Sequence, residues 1–114
     1  MKIIITKRFD KYYLKDLEKY FPKKSLLHLL KNKYHTFISL HFPYFKFKGK
    51  TKTIQVRGVL AIFKENKVIP LILYLKKDKK HWENINRKTE ESKILKEYNL
   101  ALKDIKNWDF NIFE

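Results

Sequence analysis

The most apolar run of the chain, Val68 to Leu75 (VIPLILYL), constrains it more than any other feature. It is too short to cross a bilayer as a helix and too apolar to lie on a surface, so it reads as a central strand. Pro70 lacks an N–H, which predicts a bulge or a partly exposed edge at that point. Upstream, Gly58 leads into VLAIF, and the polar turn Lys64-Glu65-Asn66-Lys67 separates the two runs. Strand, turn and strand over 54–75 therefore predict an antiparallel hairpin.

The rest of the chain must cover that hairpin. Residues 2–6 (KIIIT) are β-branched and predict a short first strand. Phe9, Tyr13, Leu17 and Tyr20 recur at helical spacing and predict an amphipathic helix ending near Pro22. Ser25 is the expected N-cap of a second helix, with Leu26, Leu27, Leu29, Leu30 and Tyr34 as its apolar set. Thr36 to Phe42 reads as a strand or an irregular lead-in, and Thr51 to Arg57 alternates as a strand does. Thr89 is the expected N-cap of a C-terminal helix of about five turns, with Ile94, Leu95, Tyr98, Ala101, Leu102 and Ile105 as its stripe. The aromatic tail WDFNIFE is expected to pack on the body. The order β-α-α-β-β-β-α predicts an α+β fold: an antiparallel sheet with an N-terminal helical hairpin on one face and a C-terminal helix. With 114 residues, a single domain over 1–114 is expected, 83–114 being a helical extension.

Several kinds of chemistry are excluded. No cysteine is present, so disulfides, thiol catalysis and Cys-based metal sites are ruled out. The two glycines, Gly49 and Gly58, stand apart and form no phosphate-binding loop. His28, His35, His41 and His81 are not spaced as metal ligands, so no metal and no cofactor are expected. His28, on the leucine-rich helix, reads as a packed or surface histidine. The amino terminus has only a short apolar run before charge returns, and this predicts a cytosolic protein with no membrane association.

Charge is the remaining guide. The chain carries 27 Lys+Arg against 12 Asp+Glu, a formal net charge of +15. Residues 83–114 hold 6 basic and 7 acidic residues, whereas residues 1–82 hold 21 basic and 5 acidic. The excess is densest from Lys46 to Lys80. Such a field suits a polyanion or an acidic protein; a lysine-coated, solvated surface is the plainer reading.

Within that stretch, Lys46, Lys48, Lys50 and Lys52 alternate. On extended backbone they share one face at about 6.6–6.8 Å intervals, close to the phosphate spacing of a single strand. Phe47 lies among them as a ring that stacks on a base or anchors the segment. The competing reading is an edge strand whose lysines discourage aggregation. Arg57, one of only three arginines, ends an alternating strand just before Gly58, where its fork suits a phosphate or a surface acid such as Glu65. Lys76, Lys77, Lys79 and Lys80, followed by His81 and Trp82, leave the most apolar strand. The hairpin brings that exit beside Arg57.

On these residues the chain resembles the RelE/ParE superfamily of small bacterial toxins from toxin–antitoxin pairs. The resemblance spans roughly residues 1–85 and rests on four features: the element order, Lys46-x-Lys48 ahead of the sheet, Val56-Arg57-Gly58-Val59 opening a core strand, and Leu75-Lys76-Lys77 closing the last one. It implies a RelE-like fold and a metal-independent endoribonuclease that cuts messenger RNA at the ribosome, using the RNA's own 2′-OH as nucleophile. By the same resemblance Lys46 and Lys48 match the family's lysine positions, one as general base, and Arg57 matches the arginine on the scissile phosphate. Lys77 stands where the family often has arginine, and it supplies charge without the bidentate fork. His81 falls near the family's terminal residue as the candidate general acid, and Trp82 as a stacking surface. Lys50, Lys52, Lys76, Lys79 and Lys80 join Phe47 and Trp82 as nucleic-acid contacts. The resemblance also implies an acidic antitoxin as protein partner. Two other readings stay open: a ParE-like inhibitor of DNA gyrase, and a non-catalytic nucleic-acid-binding or interaction protein on the same fold.

Overall fold

The computed structural model describes residues 2–32, 35–38, 43–51, 53–63, 67–76 and 87–114. Strand β1 (Lys2–Thr6) leads into helix α1 (Lys7–Phe9), a π-helical segment (Asp10–Leu14) and α2 (Lys15–Leu17). Helix α3 (Lys23–Asn32) follows, then β2 (His35–Ile38), β3 (Pro43–Lys50), β4 (Gln55–Phe63) and β5 (Lys67–Leu75). Helix α4 (Arg87–Lys106) and β6 (Phe110–Phe113) complete the order. The strands form one sheet in the order β2-β3-β4-β5-β1-β6.

The class is α+β, as expected, and the β4–β5 hairpin is present. The sheet, however, is mixed rather than antiparallel. β1 runs parallel to β5, with Lys2 opposite Lys67 and Ile3 opposite Val68. The physical reason lies in β1 itself: Ile3, Ile4 and Ile5 are all at most 2% exposed, so both faces of this strand need cover. An internal place between β5 and β6 supplies it. The aromatic tail does pack on the body, and it does so as a strand: β6 pairs antiparallel with β1 from Thr6 opposite Phe110 to Ile3 opposite Phe113.

The bulge expected near Pro70 is found. Val59 faces Ile72 and Leu60 faces Pro70, which leaves Leu71 as the extra residue. Leu71 and Ile72 accordingly bury on the same side of the sheet.

Helix boundaries depart from expectation for local reasons. Thr6 caps α1, its hydroxyl accepting from the Phe9 N–H at 3.2 Å, so the helix starts at Lys7. The π-helical segment then brings Phe9 and Leu14, five apart, onto one buried face, while Tyr20 is left 41% exposed. Ser25 is not an N-cap: the Pro22 carbonyl already accepts from the Ser25 and Leu26 N–H groups at 2.9 and 3.1 Å, which places the cap at Pro22. β4 starts at Gln55, not Thr51. The Thr51 N–H donates to the Ile54 carbonyl (2.7 Å) and the Ile54 N–H to the Thr51 hydroxyl (3.1 Å), closing a turn between β3 and β4.

The core has two layers, one on each face of the sheet. On one side Ile3, Ile5, Phe47, Val56, Leu60, Val68, Leu73 and Leu75 pack against Phe9, Leu14, Phe21, Leu26, Leu29 and Leu30 of the N-terminal helical region. On the other, Ile4, Tyr44, Val59, Ala61, Ile69, Leu71 and Ile72 pack with Ile94 and Ala101 of α4. Helices therefore cover both faces.

A polar cluster fixes α4 to the N-terminal helix. Arg8 Nε and Nη2 donate to the two Glu97 carboxylate oxygens at 2.8 and 3.0 Å, and the Tyr13 hydroxyl donates to Glu97 Oε1 at 3.1 Å. The Arg8 N–H also donates to Asp104 Oδ2 at 2.8 Å. Glu97 is 6% exposed, so this geometry gives a buried carboxylate its required partners. The hydrogen bond to Glu97 raises the Arg8 pKa above its ordinary value, with Coulombic attraction adding to it. Burial first, then the Glu97 charge and hydrogen bond, raise that of Tyr13.

Candidate nucleic-acid interface

The lysine row lies on β3. Phe45, Phe47 and Gly49 point to the layer under α3, so by alternation Lys46, Lys48 and Lys50 share the α4 face with Tyr44. Register adds the neighbouring strands. Lys46 faces Val59, Lys48 faces Arg57 and Lys50 faces Gln55. Arg57 in turn faces Tyr74 on β5, and Val56 faces Leu75, which brings Lys76 beside Gln55. Helix α4 packs over β5 and β1, toward the far side of this face.

Lys48, Lys50, Gln55 and Arg57 are exposed, and Lys46, Tyr74 and Lys76 are half-buried. Lys46 and Tyr74 are engaged in contacts of their own. Lys48, Lys50, Arg57 and Lys76 have no ion-pair partner among the described residues, whereas Glu114 pairs with Lys2 and Glu97 with Arg8. Lys48, Lys50, Arg57 and Lys76 line one cleft of about 1090 Å³. An anion bridging Lys48 and Arg57 would relieve the repulsion between two like charges at directly opposed strand positions.

The edge-strand reading of the lysine row is removed only at Lys46: β3 pairs with β4 from Tyr44 to Lys50, but with β2 only from Pro43 to Lys46, so at Lys48 and Lys50 that reading stays open. One assignment is corrected. Phe47 is 2% exposed and its ring lies against Gly58, so it anchors the strand and is not offered to a base. Lys52, Lys77, Lys79, Lys80, His81 and Trp82 lie outside the described residues, as does Glu65.

Sequence reasoning overlooked Tyr74 and Gln55. The signal for both was strand register: each shares a face with Arg57, one across the hairpin and one two residues earlier. His28, read as a packed or surface histidine, is exposed and lines the cleft. Among the described residues no group of three or more His, Asp or Glu side chains is placed to hold a metal ion, and no helix is long and apolar enough to cross a membrane. No family model matches the chain, and neither does any curated protein or solved structure.

Proposed function

We propose that the chain is a RelE-type toxin of a bacterial toxin–antitoxin pair, a cytoplasmic endoribonuclease that holds messenger RNA on the β3–β4–β5 face. The observation that carries this reading is the placement of Lys48 opposite Arg57, flanked by Lys46, Lys50 and Lys76, with neither Lys48 nor Arg57 paired to a described carboxylate. Arg57 holds the scissile phosphate through its fork, and Lys48 or Lys46 takes the proton from the RNA 2′-OH. The 2′-oxygen then attacks the adjacent phosphorus, and the bond to the 5′-oxygen breaks. The leaving oxygen takes a proton from His81, while Lys77 offsets the charge that builds on the phosphate. The products are a 2′,3′-cyclic phosphate and a 5′-hydroxyl, and no metal is consumed or required. An acidic antitoxin protein covers the same cations when the toxin is held inactive.

The test is cleavage of a defined transcript by the purified chain, with and without ribosomes and in the presence of a chelator. Arg57→Ala is expected to slow cleavage by about 10²- to 10³-fold. It is also expected to relieve the growth arrest that expression of the wild type produces. Intact transcripts during arrest overturn the ribonuclease reading, and salt-sensitive RNA binding with no cleavage would make the chain a binder.

A further inference from the structure

Strand β6 ends the sheet, and among the described residues no strand pairs with its outer side. The Lys7 N–H donates to the Asp109 carbonyl at 2.8 Å, which makes those two a hydrogen-bonded pair. Such pairs alternate along an antiparallel ladder, so Ile5–Asn111 and Ile3–Phe113 are the next ones. Phe110 and Ile112 therefore turn their N–H and C=O groups outward. An edge of this kind is usually guarded by lysine, proline or a bulge. Phe110-Asn111-Ile112-Phe113 carries no charge at all, in a chain with 27 Lys+Arg.

The turn into β6 adds a second observation. The Asp109 N–H donates to the Asp104 carbonyl (2.8 Å) and the Trp108 N–H to the Ile105 carbonyl (3.1 Å), a helix closure that usually takes glycine at the Trp108 position. Trp108 holds it at φ 61°, in the left-handed region, and is 83% exposed. Its ring stacks on Phe110 with centroids 6.0 Å apart, and Ile112, on the same face as Phe110, is 47% exposed. Packing within one chain explains neither the strain nor the exposure.

We infer that β6 pairs antiparallel with β6 of a second copy of this chain, across a twofold axis. The outward groups fix the register. Only with Phe110 opposite Ile112 of the second copy, and Asn111 opposite Asn111, do all of them bond to one another. The Trp108–Phe110 stack then meets Ile112 of the second copy. On the other face Asp109 falls opposite Phe113 of the second copy, and over that ring sits Lys23 Nζ, 4.9 Å from its centroid. Neither Asp109 nor Lys23 has an ion-pair partner among the described residues, so each copy offers the other a matching charge. Asp104, Asp109 and Glu114 lie at this edge and lessen the repulsion between two chains of net charge +15. The axis stands perpendicular to the sheet, so the two lysine rows share one face of a continuous sheet.

Sedimentation velocity of the purified chain over about two decades of concentration, up to about 10⁻³ M, tests this. The mass is expected to rise from 14.0 kDa toward twice that value. Ile112→Pro removes an N–H that β1 does not use, and it is expected to weaken association by about tenfold or more with the circular dichroism unchanged. Asp109→Lys is expected to weaken association as well, and Lys23→Glu added to it to restore association; this exchange serves if the proline variant fails to fold. The Phe110 and Ile112 amides are expected to exchange hydrogen more slowly as concentration rises, whereas those of Asn111 and Phe113 are protected throughout. A chain that stays monomeric at every concentration overturns the pairing and leaves the edge to a strand of another protein. A dimer indifferent to both the proline and the charge exchange overturns it too.

Discussion

Lys48 and Arg57 occupy opposed positions on neighbouring strands, where side chains come closest and like charges repel. A site kept for stability alone would place an acid or a threonine at one of them. Lys48→Thr is therefore expected to stabilise the free protein by about 0.5 kcal/mol, read as a higher urea midpoint, while RNA binding weakens. The alternation that exposed the lysine row was plain in the sequence, but this opposition was not, because it depends on where the β3–β4 turn falls. Phe47 was misread for a related reason: alternation says that it faces away from the lysines, not that the other side is core. The Arg8–Glu97–Tyr13 cluster makes a separate forecast. Because folding raises the Tyr13 pKa, the folded protein keeps a proton that the unfolded chain releases above about pH 10. The resulting stability is complete below that pH and declines as pH rises toward the folded value. Chemical denaturation from pH 9 upward, at about one-unit steps, is expected to show a steeper loss in the wild type than in Tyr13→Phe.

Elements were legible where local chemistry decides them. The β4–β5 hairpin, the bulge near Pro70 and the long C-terminal helix each follow from a short stretch of residues. Partner choice between distant segments did not follow. Nothing local to Lys2–Thr6 says that it runs parallel to β5, although three consecutive isoleucines already call for a strand buried on both faces. The tail was expected to pack without a stated form, and it becomes β6 because β1 needs a second neighbour. Glu97, at a core-facing position of the α4 stripe, was a visible hint that the helix docks through a charge pair as well as through apolar contact. Gly58 shows how tightly the central elements are fitted. An added Cβ would collide with the Phe47 ring and with the Ile72 carbonyl oxygen of the adjacent strand. The backbone oxygen cannot turn aside as a side chain can. Gly58→Ala is thus expected to cost about 3 kcal/mol or more, seen as a large fall in the denaturant midpoint, with the β3–β4–β5 face disturbed as a consequence.

At the scale of the molecule, the formal charge of +15 is unevenly placed. Glu97 and Asp104 of α4, Asp109 in the connection to β6 and Glu114 just after β6 lie on the β1–β6 side of the sheet, where Glu97 pairs with Arg8 and Glu114 with Lys2. Lys48, Lys50, Arg57 and Lys76 have no ion-pair partner among the described residues. The field therefore has a direction, and a polyanion approaching it is turned toward the cleft. Whether attraction comes from this face or from lysine in general is a question of counting released counterions. If Lys46, Lys48, Lys50, Arg57 and Lys76 each neutralise one phosphate of a single strand, the slope of log K against log salt is about −3.5. Affinity then falls by about a hundredfold between about 50 and 200 mM salt. Arg57→Ala should reduce the slope by about 0.7, whereas Lys15→Ala, at an exposed position on α2, should leave it unchanged. Equal reductions from both replacements would mean that charge acts diffusely, and the face would lose its claim to be a site.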